Sequence, residues 1–158
     1  MTFHRPSNVD NIDSLNELIK TIECCSKNIQ LVFPVHPRTE KNLKQFKLWE
    51  DLCKIDNLII APSLGYLDFM KLTKNAKLVI TDSGGIQEET TFLQIPCLTI
   101  RENTERPITI SSGTNELIPL DHQIIEKKSL AILNGSIKSS IPPMWDGYAT
   151  NRILEVLA

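Results

Sequence analysis

Aromatic residues are scarce in this chain: 6% of 158 positions, with two Trp, two Tyr and five Phe. That is thin for an extracellular binding module, which leans on aromatic anchors, and ordinary for a cytosolic α/β domain. Excess charge of one sign is lacking too. The 17 basic and 19 acidic side chains leave a net charge of −2, which argues against a broad polyanion-binding surface and against nucleic acid as a partner. A local pocket for one or two phosphates stays open. No run approaches the ~20 apolar residues of a membrane-spanning helix, and the opening Met1-Thr2-Phe3-His4-Arg5-Pro6 lacks the apolar core of a signal peptide. Cys24, Cys25, Cys53 and Cys97 form no CxxC pair. They are expected to be reduced structural thiols in a cytoplasmic protein, with no metal site.

What is present is a globular composition, 41% hydrophobic and 23% charged, in a length that suits one domain spanning residues 1–158. Apolar periodicity divides the chain into alternating elements. Residues 13–27 place Leu15, Leu18, Ile19, Ile22 and Cys25 on one helical face, with Asp13 as the expected N-cap. Residues 29–33 read as a buried strand stopped by Pro34. His36-Pro37-Arg38 reads as a turn before one helix over residues 40–53, and residues 57–60 as a strand. Residues 66–74 read as a helix with Leu67, Met70 and Phe69 inward. A strand at 77–81, a helix at 85–93 and a strand at 95–100 follow. Residues 101–113 read as a polar loop, 116–118 as a strand, 121–133 as a helix closed by Asn134-Gly135, and 149–157 as a last helix. Short apolar strands alternating with helices predict a Rossmann-like, doubly wound parallel sheet covered on both faces. Ligands of such folds bind beyond the carboxyl ends of the strands.

Candidate residues stand at those ends. Thr81-Asp82-Ser83-Gly84-Gly85 carries a strand into a helix through two glycines. The helix N-terminus favours an anion, and Ser83 adds a hydroxyl. A tight turn capped by Asp82 or Ser83 explains the same residues. Glu88 and Glu89 follow in the first turns, either as dipole partners or as acceptors for sugar hydroxyls. Thr2-Phe3-His4-Arg5-Pro6-Ser7-Asn8 offers a donor fork and a titratable ring suited to pyrophosphate, or else is an exposed tail. Arg101 to Arg106 is rich in donors and is either a loop closing over a ligand or a solvated one. Phe69 is either core or a platform for a base, and His122 is expected to be exposed.

Taken together these segments resemble the non-hydrolysing UDP-N-acetylglucosamine 2-epimerases. The resemblance rests on Thr2-Phe3-His4-Arg5 with Asn8, Phe33-Pro34-Val35-His36-Pro37, Leu64-Gly65-Tyr66-Leu67-Asp68-Phe69, Thr81-Asp82-Ser83-Gly84-Gly85-Ile86-Gln87-Glu88-Glu89, Thr104-Glu105-Arg106-Pro107, Gly113-Thr114-Asn115 and Asp146-Gly147-Tyr148-Ala149 with Arg152-Ile153. It implies the C-terminal, UDP-holding half of a two-domain glycosyltransferase-B-like fold. The N-terminal half, which would bring the catalytic carboxylates, is then expected to be absent, with the chain cut at a domain boundary before the motif at residues 2–8. In the roles the resemblance implies, Ser83, Gly84 and Gly85 hold the diphosphate, with Arg106 and the catalytic His4 on the phosphates. Glu89 binds the ribose and Phe69 lies against the uracil. Arg5, Asn8 and His36 line the cleft. It implies a UDP-N-acetylglucosamine substrate, a homodimeric full-length enzyme and no cofactor or metal. Two departures stand out: Ser7 replaces a usual Glu, and Ile108 replaces a common Glu. A nucleotide-sugar glycosyltransferase domain, a hydrolysing 2-epimerase and a non-catalytic UDP-binding module remain alternatives at this point.

Overall fold

The computed structural model describes residues 1–136 and 140–157. Five short parallel strands alternate with helices: β1 Leu31–Pro34, β2 Leu58–Ala61, β3 Val79–Thr81, β4 Cys97–Ile100 and β5 Asn115–Ile118. β1 pairs with β2, and β3, β4 and β5 pair in that order. Residues 1–3 join the two groups. Thr2 N–H donates to the Ile80 carbonyl at 3.0 Å in a parallel bridge to β3, and the Met1 amine donates to the Val32 carbonyl at 2.7 Å on β1. The spatial order is therefore β2, β1, residues 1–3, β3, β4, β5. With residues 1–3 counted as the first strand this is the doubly wound 3-2-1-4-5-6 order, and its direction reverses between residues 1–3 and β3.

Alternation along the strands sends side chains to two layers. Phe3, Ile80, Leu98 and Ile100 join the larger core with Leu15, Leu18 and Ile22 of α2 (Ile12–Ser26) and Ile125 of α8 (His122–Leu133). Val79 and Cys97 face the smaller cluster with Ile86 of α6 (Gly84–Leu93), against which Phe69 of α5 (Tyr66–Lys74) packs. α2 packs against α8 on one face and α5 against α6 on the other. All four cysteines are free thiols.

Several local expectations differ. The helix expected over 40–53 is two, α3 Pro37–Gln45 and α4 Trp49–Cys53. Lys47 takes φ 59°, Leu48 N–H reaches the Leu43 carbonyl at 2.8 Å and Lys47 N–H reaches that of Lys44 at 3.1 Å. This is a Schellman ending with lysine where glycine usually stands, so no glycine signals it. Asn11, rather than Asp13, caps α2, accepting from Ser14 N–H at 2.8 Å. Leu67 is exposed, because α5 turns Phe69, Leu72 and Thr73 toward the sheet and Leu67 lies on the opposite side. Short helices α1 (Pro6–Val9) and α7 (Pro107–Ser111) occupy stretches read as irregular; both start on a proline at a first helical position. α9 (Ala149–Leu157) forms where expected and buries none of its residues.

Candidate functional site

The reversal of strand order opens the crevice where doubly wound folds bind ligands. From its carboxyl end the chain leaves residues 1–3 toward α1 and β1, and leaves β3 in the other direction toward α6 and β4. His4 and Arg5 stand on one side of this fork, with Asp82, Ser83 and Gly84 on the other.

Asp82 holds the two sides together. Its carboxylate is fully buried and accepts from His4 N–H (3.0 Å), Arg5 N–H (2.9 Å) and Asn8 Nδ2 (3.1 Å) at Oδ2. His4 Nδ1 lies 3.0 Å from Oδ1, and Arg5 Nε donates to the Asp82 carbonyl at 3.0 Å. Burial by itself would push the Asp82 carboxyl up, but the hydrogen bonds from His4, Arg5 and Asn8 outweigh it and hold the group below the usual carboxylate range. The acid is thus ionised and has its charge dispersed over donors. The segment 2–8 is therefore no tail: Phe3 and Asn8 are buried, the Phe3 carbonyl accepts from Thr39 Oγ1 of α3, and Asn8 Nδ2 donates to the Ile100 carbonyl on β4. Because His4 spends Nδ1 on Asp82, its Nε2 is the ring atom left to face a ligand. The His36 ring lies 5.5 Å from that of His4. His36 also caps α3, its Nδ1 accepting from Arg38 N–H at 3.1 Å.

Helix α6 starts directly after this anchor. Ser83 is the N-cap residue but its side chain makes no capping bond, and Asp82 is engaged elsewhere. Thr81 Oγ1 accepts from Ser83 N–H at 3.0 Å. The two capping explanations are thereby set aside. The first-turn N–H groups of a ten-residue helix are left without a side-chain acceptor, the condition under which a helix end attracts an anion. A Cβ on Gly85 would meet nothing within 4 Å. Glycine there answers no packing need and leaves the helix end open to close approach.

The loop after β4 is held against α6 by a polar network. Gln87 Oε1 accepts from Thr104 Oγ1 (2.6 Å) and Asn115 Nδ2 (3.1 Å), Thr99 Oγ1 donates to Asn115 Oδ1 (2.6 Å), and Asn115 Nδ2 reaches Thr109 Oγ1 (3.3 Å). Gly113 closes this network. A Cβ there would lie 2.4 Å from the Thr109 carbonyl and 2.6 Å from Thr91 Cγ2, so the backbone approach requires glycine. The network presents Arg106 beside α6, with Nε 2.9 Å from Glu88; that pairing raises the arginine pKa. Arg101 donates from Nη2 to Glu105 at 2.7 Å, and this hydrogen bond draws the Glu105 carboxyl down to about 2. Burial, then Glu88, pushes the Glu89 carboxyl up.

The structure thus brings His4, Arg5, Asn8, His36, Ser83, Gly84 and Gly85 to one crevice, with Arg106 and Glu89 along α6. Phe69 is partly buried against Val79, Ile86 and Cys97, which satisfies its packing. His122 departs from expectation: it is half-buried, and its backbone N–H (2.8 Å) and Nδ1 (2.5 Å) both meet Glu17 Oε1, tying α8 to α2. Glu17, Asp121 and His122 lie within 4.8 Å of one another, with Asp121 capping α8 through Gln123 and Ile124 N–H. Asp82 as a clamp and Arg101 as a buried cation escaped the sequence reading. The donors to Asp82 lie far away along the chain, and Arg101, though paired to Glu105 four residues on, is brought beside Gly84 only by the tertiary fold, so no local pattern marks either role. A partly enclosed cavity of about 240 Å³, mainly apolar, lies at the other end of the strands, between Leu31 and Leu78. Its lining suits apolar contact rather than a charged ligand.

Among the described residues, no helix is long and apolar enough to cross a membrane. The family model described as UDP-N-acetylglucosamine 2-epimerase matches residues 1–158. The UDP-N-acetylglucosamine 2-epimerase of Methanocaldococcus jannaschii is 39% identical over 99% of this chain and 43% of its own length. That of Methanococcus maripaludis is 45% identical over 79% of this chain and 35% of its own. A crystal structure of the M. jannaschii enzyme in complex with UDP-GlcNAc and UDP superposes with a TM-score of 0.85 and 38% identity, covering 99% of this chain and 43% of that one. The chain spans less than half the length of these relatives. Its fold is a Rossmann-like unit of their glycosyltransferase-B-like architecture. With the family model matched over residues 1–158 and a relative of 39% identity aligned along 99% of them, the chain belongs to the UDP-N-acetylglucosamine 2-epimerase family.

Proposed function

We propose that this chain is the UDP-holding domain of a UDP-N-acetylglucosamine 2-epimerase, acting with a second domain that supplies the catalytic carboxylates. One observation carries the reading. The uncapped N-terminus of α6 opens into the strand-order crevice beside His4, whose ring Asp82 orients. In this reading the N–H groups of Gly84 and Gly85 and the Ser83 hydroxyl receive the diphosphate. Arg106 exchanges Glu88 for a phosphate oxygen. Glu89, which Arg106 leaves unpaired, takes the ribose hydroxyls, and the exposed edge of Phe69 meets the uracil. Arg5, Asn8 and His36 shape the cleft around His4.

The chemistry follows from where charge develops. Inverting C2 of the sugar requires loss of a weakly acidic C2 proton, which is eased when the C1–O bond to UDP breaks with it. The electron pair from the C2–H bond forms the C1–C2 double bond, and the C1–O pair leaves with UDP, giving 2-acetamidoglucal and UDP. Re-addition of UDP at C1 with protonation of C2 on the other face gives UDP-N-acetylmannosamine. No electrons are gained or lost overall, so the reaction calls for no redox cofactor. Negative charge grows on the diphosphate, where preorganised donors at the α6 terminus, Arg106 and His4 Nε2 stabilise it. Proton transfer at C2 falls to tuned carboxylates, which this reading assigns to the second domain. The family reading also carries a cytoplasmic homodimer for the full-length enzyme. Titrating the chain with UDP in a calorimeter tests the binding role, and binding near micromolar strength is expected. Incubating the two-domain protein with UDP-N-acetylglucosamine and no acceptor tests the reaction: the manno isomer is expected, and turnover that needs a sugar acceptor would refute it.

A further inference from the structure

Arg101 follows β4 and carries a side chain only 5% exposed, whereas its partner Glu105 is 60% exposed. A guanidinium this deeply buried is ordinarily matched by acceptors on all its faces, because an orphan donor away from water is costly. Here Nη2 has Glu105, but Nη1 is buried and has no hydrogen-bond partner among the described residues. That atom lies 3.4 Å from where a Cβ on Gly84 would stand, alongside the first turn of α6. An unmatched cationic donor and the uncapped N–H groups of a ten-residue helix therefore converge on one spot. Both want the same thing, an anionic oxygen acceptor.

We infer that Arg101 is a direct diphosphate-binding residue, donating from Nη1 to the phosphate oxygens seated at Gly84 while Glu105 keeps hold of Nη2. This rests on the UDP-holding reading above and adds a cation to it. The two arginines differ in kind. The Arg106 side chain is 41% exposed and its Nε faces the Glu88 carboxylate. Arg101 is already oriented, buried and short of a partner, so little of its binding is lost to ordering. A Cβ on Gly84 would touch both partners of this pair, 3.4 Å from Arg101 Nη1 and 3.8 Å from Glu105 Oε2.

The experiment is calorimetric titration of the full chain with UDP and, separately, with inorganic pyrophosphate, for the unaltered protein and for Arg101→Gln, Arg101→Lys and Glu105→Gln. Thermal melts without ligand confirm that each is folded. Arg101→Gln is expected to weaken both ligands about 10- to 100-fold, the range of a charge-assisted hydrogen bond. Arg101→Lys keeps the charge but lacks the planar fork, and is expected to weaken them by about 3- to 10-fold. Glu105→Gln keeps an amide oxygen for Nη2 but weakens that hold, and is expected to cost clearly less than Arg101→Gln, about threefold or less. If Arg101 only props the loop through its ion pair, Glu105→Gln will lose as much affinity as Arg101→Gln, and the inference falls. It also falls if Arg101→Gln or Arg101→Lys binds UDP as tightly as the unaltered protein. Failure of the unaltered, folded protein to bind UDP at all would overturn the UDP-holding reading itself and the role of Arg101 with it.

Discussion

Replacing Asp82 by Asn changes one atom of a fully buried side chain and should unsettle both the fold and the site. The carboxylate receives three donors at Oδ2, from His4 N–H, Arg5 N–H and Asn8 Nδ2, and faces His4 Nδ1 from Oδ1. An amide keeps one acceptor oxygen and turns an NH2 toward groups that are themselves donors. A hydrogen bond to a charged group contributes about 1.5–3 kcal/mol, and breaking a buried charge cluster on one side costs about 3–5 kcal/mol. Asn retains part of the geometry, and the His4 side chain is 37% exposed, so solvent screens its share. A loss of about 2–4 kcal/mol is expected, read as a lower urea midpoint with an unchanged slope. UDP affinity should fall too, because His4 and Arg5 lose their seat. The pH dependence gives a second readout. Asp82 has a depressed pKa in the folded protein, so the unfolded chain binds its proton more readily. Its stabilisation is therefore fully present above about pH 4 and fades as pH falls through the folded-state pKa. Asp82→Asn should flatten that acid limb. A stability loss under about 0.5 kcal/mol would refute the clamp, as would an acid limb identical to that of the unaltered protein.

Three further outcomes are expected. Arg106→Ala should weaken UDP binding by about 1.5–3 kcal/mol in calorimetry, and unchanged affinity would reject its place on the phosphates. Gly85→Val should fold normally, since a Cβ there meets nothing within 4 Å, yet lose about tenfold or more in UDP affinity by blocking approach to the helix end. Full affinity would move the anion elsewhere. His122→Ala should leave UDP binding intact but lower stability by about 1–2 kcal/mol through loss of its Nδ1 contact with Glu17. A chemical-denaturation curve and a titration on the same sample separate the two effects.

The division between what sequence and structure each decided follows the range of the interactions concerned. Periodic apolar spacing is local, so the α2 face of Leu15, Leu18, Ile19, Ile22 and Cys25, the strand positions and the doubly wound class are all legible in the sequence. So is the Ser83-Gly84-Gly85 helix start, because a strand, two glycines and a helix follow one another along the chain. The break after Gln45 is illegible, since Lys47 adopts the left-handed turn that glycine usually announces. That residues 2–8 are not an exposed tail is decided only by the sheet, which places residues 1–3 beside β3. Asp82 lies more than seventy residues from each of its donors, and Arg101 points its unmatched donor at a helix whose start is 17 positions away. The sequence by itself determined which residue types could hold a phosphate and the layered class of fold that would carry them. Tertiary structure alone decided which of those donors share a crevice and which are already paired. Strand order and burial bring distant side chains together, and neither is encoded in any short window of the chain.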